Sequence, residues 1–168
     1  MSDVVDVTLT VNGRRISRPA GAHLTLLRWL RDVVGVTDPK YGCGEGVCGA
    51  CTVLLDGRPV SSCIVLAAQA DGGEVLTAAG LADADGSFNA LQEAFHVHHA
   101  AQCGFCTPGM LMCATALLDD IDVPTRDMIR EALHGNLCRC TGYGPIVDAI
   151  EAARDVRVAD AASNLEPR

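Results

Sequence analysis

The chain has 168 residues, nine cysteines, and 21 acidic against 13 basic residues, for a formal net charge of -8. That length admits one ordinary domain or two small ones, and an apolar content of 49% supplies the core that a disordered chain lacks. The acidic balance leaves no electrostatic footprint for nucleic acid and disfavours binding to anionic lipid.

In chain order the first third reads as strand, strand, helix, loop, strand. Val5, Val7, Leu9 and Val11 alternate with Asp6, Thr8 and Thr10, the period of a half-buried strand. Asn12-Gly13 is a two-residue hairpin signal, because both positions tolerate positive φ. Residues 14–18 form the predicted return strand, stopped by Pro19. Leu24, Leu27 and Leu30 recur every third residue, which predicts a helix over 24–34 ended by Gly35. Residues 52–55 read as a strand with Asp56-Gly57 as its turn, and 60–66 and 74–77 as two further strands. Residues 78–87 are small, acidic and glycine-containing, the composition of a linker.

The rest reads as helix. Residues 89–98 place Leu91, Ala94 and Phe95 on one face. Thr107 is a predicted N-cap with Pro108 at the first helical position, for a helix to about 118. Thr125 is a second N-cap, with Gly135 closing that helix, and Pro145 opens a last helix over 146–156. The predicted organisation is α+β: a domain at 1–77, a linker at 78–87, a four-helix domain at 88–156 and a frayed tail at 157–168.

The cysteines decide the chemistry. Nine is odd, so simple pairing leaves one over. The acidic start of the chain shows no basic segment leading into an apolar one, so no export signal is expected, and the longest apolar run, 110–118, is too short to span a membrane. A cytoplasmic setting keeps thiols reduced, which favours ligation over disulfides. Cys43, Cys48 and Cys51 give C-x4-C-x2-C, and Cys63 follows after eleven residues. That is plant-type [2Fe–2S] spacing, and it fits the two C-x2–4-C pairs of structural zinc poorly. Gly42, Gly44, Gly46 and Gly49 let the backbone close on an inorganic core and aim N–H groups at its sulfurs. The same glycines match G-x-G-x-x-G, but a strand follows where a dinucleotide fold needs a helix.

Cys103-x2-Cys106 and Cys138-x-Cys140 both fall at helix boundaries. If the two loops meet, four thiolates converge, and spacing alone leaves a second [2Fe–2S] cluster and a zinc site open. Cys113 is left over and reads as a small buried hydrophobe. His96, His98 and His99 read as a solvated or subunit-facing patch, since 96 and 98 point to different sides of a helix.

Three runs carry a resemblance. Gly42-Cys-Gly-Glu-Gly-Val-Cys-Gly-Ala-Cys-Thr-Val53 resembles the first cluster loop of the xanthine oxidase family of molybdenum hydroxylases. Gln102-Cys-Gly-Phe-Cys-Thr-Pro-Gly109 and Gly135-Asn-Leu-Cys-Arg-Cys-Thr-Gly-Tyr143 resemble the second. The likeness covers about residues 4–155 and is to the separate small iron–sulfur subunit of the prokaryotic heterotrimers. It implies a ferredoxin-like β-grasp domain with one [2Fe–2S] cluster and a four-helix bundle with another. It implies a large subunit carrying a molybdenum–pterin dinucleotide, a medium subunit carrying FAD, and a dimer of heterotrimers. Electrons would run from molybdenum through the helical-domain cluster to the β-grasp cluster and on to FAD, with the substrate, an N-heterocycle or an aldehyde, bound elsewhere. Carbon monoxide oxidation is a minority case in such a family, and a free-standing ferredoxin-like carrier is the alternative class. Gln102 matches the position whose amide contacts the pterin, and Cys140 the cluster ligand nearest to it.

Overall fold

The computed structural model describes residues 4–163. Strands β1 (Val4–Val11), β2 (Arg14–Gly21), β3 (Thr52–Leu55), β4 (Arg58–Ser61) and β5 (Glu74–Leu76) form one sheet in the order β2-β1-β5-β3-β4. β1 and β5 run parallel and the other neighbours antiparallel. The alternation in β1 holds for Val7, Leu9 and Val11, which are buried, but Val5 near the start of the strand is exposed; Asn12 and Gly13 both take positive φ in the turn. Helix α1 (Leu26–Arg28) crosses this face, continues as a π-helical turn (Trp29–Val34) and ends at left-handed Gly35. Trp29, Leu30 and Leu26 pack there against Val7, Leu9, Val53 and Val75.

Three predicted boundaries in this half are corrected. Pro19 does not stop β2, which runs on to Gly21 and pairs Pro19 with Asp6; β2 is an edge strand, where a missing N–H breaks no ladder. The first helix starts at Leu26, not 24. The backbone of 24–26 is spent on a bridge to 65–67, through Leu26 N–H to Val65 O (2.7 Å) and Ala67 N–H to Leu24 O (2.9 Å), and Thr25 Oγ1 then caps the helix by accepting from Arg28 N–H. The strand expected over 60–66 ends at Ser61, because the chain turns there to bring Cys63 back beneath Cys51, with Ser62 Oγ donating to Cys51 O at 2.6 Å.

Helices α2 (Ala90–Val97), α3 (Thr107–Asp120), α4 (Arg126–Ala132) and α5 (Gly144–Ser163) enclose a second core of Phe95, Met110, Met112, Ile129, Ile146 and Ile150. β3 is the seam between the cores. Successive side chains on a strand point to opposite faces, so Val53 enters the core under α1 while Leu54 enters the core under α3. The stretch expected to be a plain linker contributes as well: its short 3-10 turn (Ala78–Leu81) buries Ala78, and Leu81 packs on the helical core.

Helix boundaries differ in physically instructive ways. Cys106, not Thr107, is the N-cap of α3, because left-handed Gly104 makes the preceding turn one residue earlier. Gly135 does not close α4; Leu133 does, and Gly135 lacks a left-handed φ. α5 begins at Gly144 and stays helical through the predicted tail to Ser163, aided by Arg157 donating to Asp119 Oδ1 at 2.9 Å; residues 164–168 lie outside the described residues. No helix among the described residues is long and apolar enough to cross a membrane.

Candidate metal centres

The first cysteine set lies in the loop leading into β3. Gly44, Gly46 and Gly49 take left-handed φ of 75°, 77° and 68°. Gly42 does not; it is needed for space, since a Cβ there would sit 2.8 Å from Cys48 Sγ. The loop turns its N–H groups onto sulfur, from Cys43 to Cys48 Sγ (3.4 Å) and from Glu45 to Cys43 Sγ (3.3 Å). No helix follows the glycines, so the dinucleotide pattern is excluded by β3.

The four cysteines stand as two pairs. Cys43 and Cys48 are half-buried on the loop; Cys51 and Cys63 are buried together against Leu27. The N–H groups of Glu45 and Val47, with the Cys48 thiol, draw the Cys43 pKa down to about 6. Burial, and then the neighbouring Cys51 thiol, push Cys63 up to about 11. Cys43 is thus ready as thiolate, while Cys63 resists charge unless a cation neutralises it.

The second set is made by two helix starts. Cys103 and Cys106 occupy the turn into α3, Cys138 and Cys140 the loop from α4 to α5, and the loops meet as expected. Cys140 Sγ lies 3.6 Å from Cys103 Sγ on the surface, and Cys106 touches Cys138 beneath. Burial, and next the Cys138 thiol, push Cys106 up to about 12. Cys138 is raised by burial, but the Thr141 hydroxyl and N–H outweigh that and lower it. The Phe105 N–H lowers Cys103, whose thiol in turn raises Cys140. Cys106 is the N-cap of α3, whose dipole favours negative charge there.

Sequence reasoning missed how this loop is held. Tyr143 sits at φ 68° after left-handed Gly142, and its hydroxyl accepts from Cys138 N–H (3.0 Å) and donates to Asn136 O (3.3 Å). Its signal was an aromatic just before Gly144-Pro145. Cys113 is more than core filling: burial pushes its pKa to about 11, yet its thiol donates to Asn136 Oδ1 at 3.1 Å. Gln102 is exposed beside Cys103. His96 stacks edge-on against Phe88, His98 caps α2 and His99 takes φ 52°, and the three do not converge.

The centres are joined. Leu137 N–H donates to Cys48 O at 2.9 Å, and Asn136 Nδ2 to Gly49 O at 3.2 Å. A Cβ on Gly109 would strike Gly49 O, and one on Gly49 would strike Gly135 O, so both glycines mark the close approach.

Among the described residues, no three of His, Cys, Asp and Glu gather around one point as a single ion requires. Each set instead offers two pairs. A two-iron core takes two cysteines on each iron, so the donor sets and their N–H groups fit [2Fe–2S] at both places.

Residues 9–82 match the family described as 2Fe-2S iron-sulfur cluster binding domain, and residues 77–151 the family described as [2Fe-2S] binding domain. The chain is 52% identical to the nicotine 6-hydroxylase small subunit of Paenarthrobacter nicotinovorans, over 89% of each chain. It is 49% identical to caffeine dehydrogenase subunit gamma of Pseudomonas sp. (strain CBB1), over 87% of this chain and 89% of that one. A chain of quinoline 2-oxidoreductase from Pseudomonas putida 86 superposes with a TM-score of 0.89 at 46% identity, covering 99% of this chain and 100% of that one.

Proposed function

We infer the role of the chain from its kinship: it belongs to the small [2Fe–2S] subunits of the xanthine oxidase family of molybdenum hydroxylases, and is the electron-transfer subunit of such an oxidoreductase. Cys43 and Cys48 hold one iron of the first cluster, and Cys51 and Cys63 the other. Cys103 and Cys140 hold one iron of the second, and Cys106 and Cys138 the other. The observation that carries this is the pairing of sulfurs, twice over, with backbone N–H groups turned onto them. A bound [2Fe–2S] cluster supplies one-electron redox chemistry at a potential set by hydrogen bonds and exposure.

The chain's own residues give the relay a direction. Cys103 and Cys140 are exposed with Gln102 beside them, which suits a contact with a pterin on a large molybdenum subunit. Exposed Val47 and Ile64 surround the first centre and suit a flavin subunit. Electrons then enter at the helix-end centre and leave from the loop centre. The first centre lies in a β-grasp domain and the second in a four-helix bundle, with partners arranged as a cytoplasmic dimer of heterotrimers. Substrate binds on the large subunit; the relatives' names, nicotine and caffeine, favour an N-heterocycle over an aldehyde or carbon monoxide.

Metal analysis of the purified chain tests this. Two clusters give about four irons per chain, whereas colourless protein holding zinc would contradict it. A free-standing carrier would run as a lone monomer with full iron, and the subunit runs in a large complex.

A further inference from the structure

Asn136 is a polar residue only 3% exposed, placed where the two centres come together. A buried amide is costly unless its hydrogen bonds are made, and the bonds of Asn136 reach the first cluster loop, α3, the end of α4 and the loop that carries Cys138. Its Nδ2 donates to Gly49 O in the first cluster loop at 3.2 Å. Its Oδ1 accepts from Cys113 on α3 at 3.1 Å. Its N–H donates to Leu133 O at the end of α4 (2.9 Å), and its carbonyl accepts from Tyr143, which also holds Cys138 N–H.

The next residue carries the only hydrogen bond in a short route between ligands. Leu137 N–H donates to Cys48 O at 2.9 Å, and Leu137 is bonded to Cys138. From Cys48 to Cys138 the path is covalent except for that one contact. Gly49 and Gly109 allow the approach, and Asn136 holds it.

We propose that Asn136 is a positioning residue for electron transfer between the two centres: by clamping the Gly49 carbonyl and the Cys113 thiol, it fixes the Leu137–Cys48 bridge. This rests on the two-cluster reading above. In the step, one electron leaves the helix-end centre, which is oxidised, and arrives at the loop centre, which is reduced. No bond breaks and no proton moves. The reductant is the pterin-bound metal of the large subunit and the final oxidant the flavin.

The test uses the intact complex with Asn136→Ala, Asn136→Asp and Cys113→Ala. Asn136→Asp keeps the acceptor for the thiol and removes the donor to Gly49. Three quantities are measured: iron per chain, the low-temperature magnetic splitting between the two reduced centres, and the rate at which the loop centre is reduced after substrate is added. Asn136→Ala is expected to keep both iron signals, to weaken the splitting, and to slow the rate severalfold. Asn136→Asp falls between it and wild type, and Cys113→Ala shifts least. A purely structural role would lower the melting temperature and leave splitting and rate alone. Full iron with unchanged splitting and rate in Asn136→Ala overturns the proposal, and the same result in Asn136→Asp does so if the alanine variant loads poorly. A wild-type chain without iron overturns the cluster reading and this inference with it.

Discussion

The two cysteine centres reach the same donor set by different architecture. The first is made by a loop: three cysteines within nine residues, with the fourth returned by the turn after β4. The second is made by two helix starts that share nothing in sequence and meet only because α3 and α5 pack on one core. A loop must supply its own N–H donors, and left-handed glycines allow that. Helix starts have unpaired N–H groups and a favourable dipole already, so the second centre instead needs a brace, which Thr141 and Tyr143 provide. Both nevertheless place one pair outward and one inward. The two sets approach one another through Cys138 of the second and through Cys48, a member of the outer pair, of the first.

The strongest way to break the comparison is to remove one centre at a time. Cys48→Ala should cut iron from about four to about two per chain and stop turnover with the natural acceptor, while an artificial acceptor that takes electrons at molybdenum still supports substrate oxidation. Cys106→Ala should cut iron equally and stop the first centre from being reduced by substrate. If natural-acceptor turnover survives Cys48→Ala, the relay order is wrong.

The seam comes next. Gly49→Ala combines a φ of 68° with a clash against Gly135 O and Asn136. The expected loss is about 2–4 kcal/mol, seen as a lower melting temperature. Gly57→Ala, at φ 77° with nothing near its Cβ, carries the strain without the clash and should lose about 1–2 kcal/mol. Equal losses would show that the seam is loosely packed.

A pH experiment on the metal-free chain sharpens the outward–inward contrast. Cys43 has its folded pKa lowered from 9.0 to about 6, so its ionisation favours the folded chain above pH 9, and that contribution fades as pH falls through 6. Cys63 is raised to about 11, so its contribution is present below pH 9 and is lost as pH rises through 11. Alkylation of the folded apo chain, followed by peptide mapping, should therefore label Cys43 at pH 7 well before Cys63. Equal labelling would remove the distinction between the pairs.

The smallest effect is expected at the brace. Tyr143→Phe loses the acceptor for Cys138 N–H and the donor to Asn136 O, at about 1–2 kcal/mol. The second centre's reduction potential should move and the first centre's stay. A shift in both would mean that the brace acts through the seam.

Much of this was legible in the sequence, because the chemistry is local. A cluster loop needs cysteines and glycines within reach of one another, and residues 42–51 show them in order. Alternation over the inner part of β1 and the cap at Thr125 are local too, and they hold. What escaped was set by distant partners. Pro19 reads as a stop unless the strand is known to be at an edge. Leu24 fits a helical stripe, but its N–H is claimed by Gly21 O and its carbonyl by Ala67 N–H. Cys113 and Asn136 are 23 positions apart, and nothing in either neighbourhood announces their bond. The dual role of β3 is half visible: a continuous Val-Leu-Leu run reads as a strand buried on both faces, although the sequence cannot say that Leu54 belongs to the helices.

The central claim is that this chain carries two separate [2Fe–2S] centres held by paired cysteines. Its most direct measurement is iron and zinc content of the purified chain together with low-temperature electron paramagnetic resonance after stepwise reduction. The expected result is about four irons per chain and two signals that grow in at different potentials. One signal should vanish in Cys48→Ala and the other in Cys106→Ala. A single signal with two irons, or stoichiometric zinc in place of iron, would contradict it.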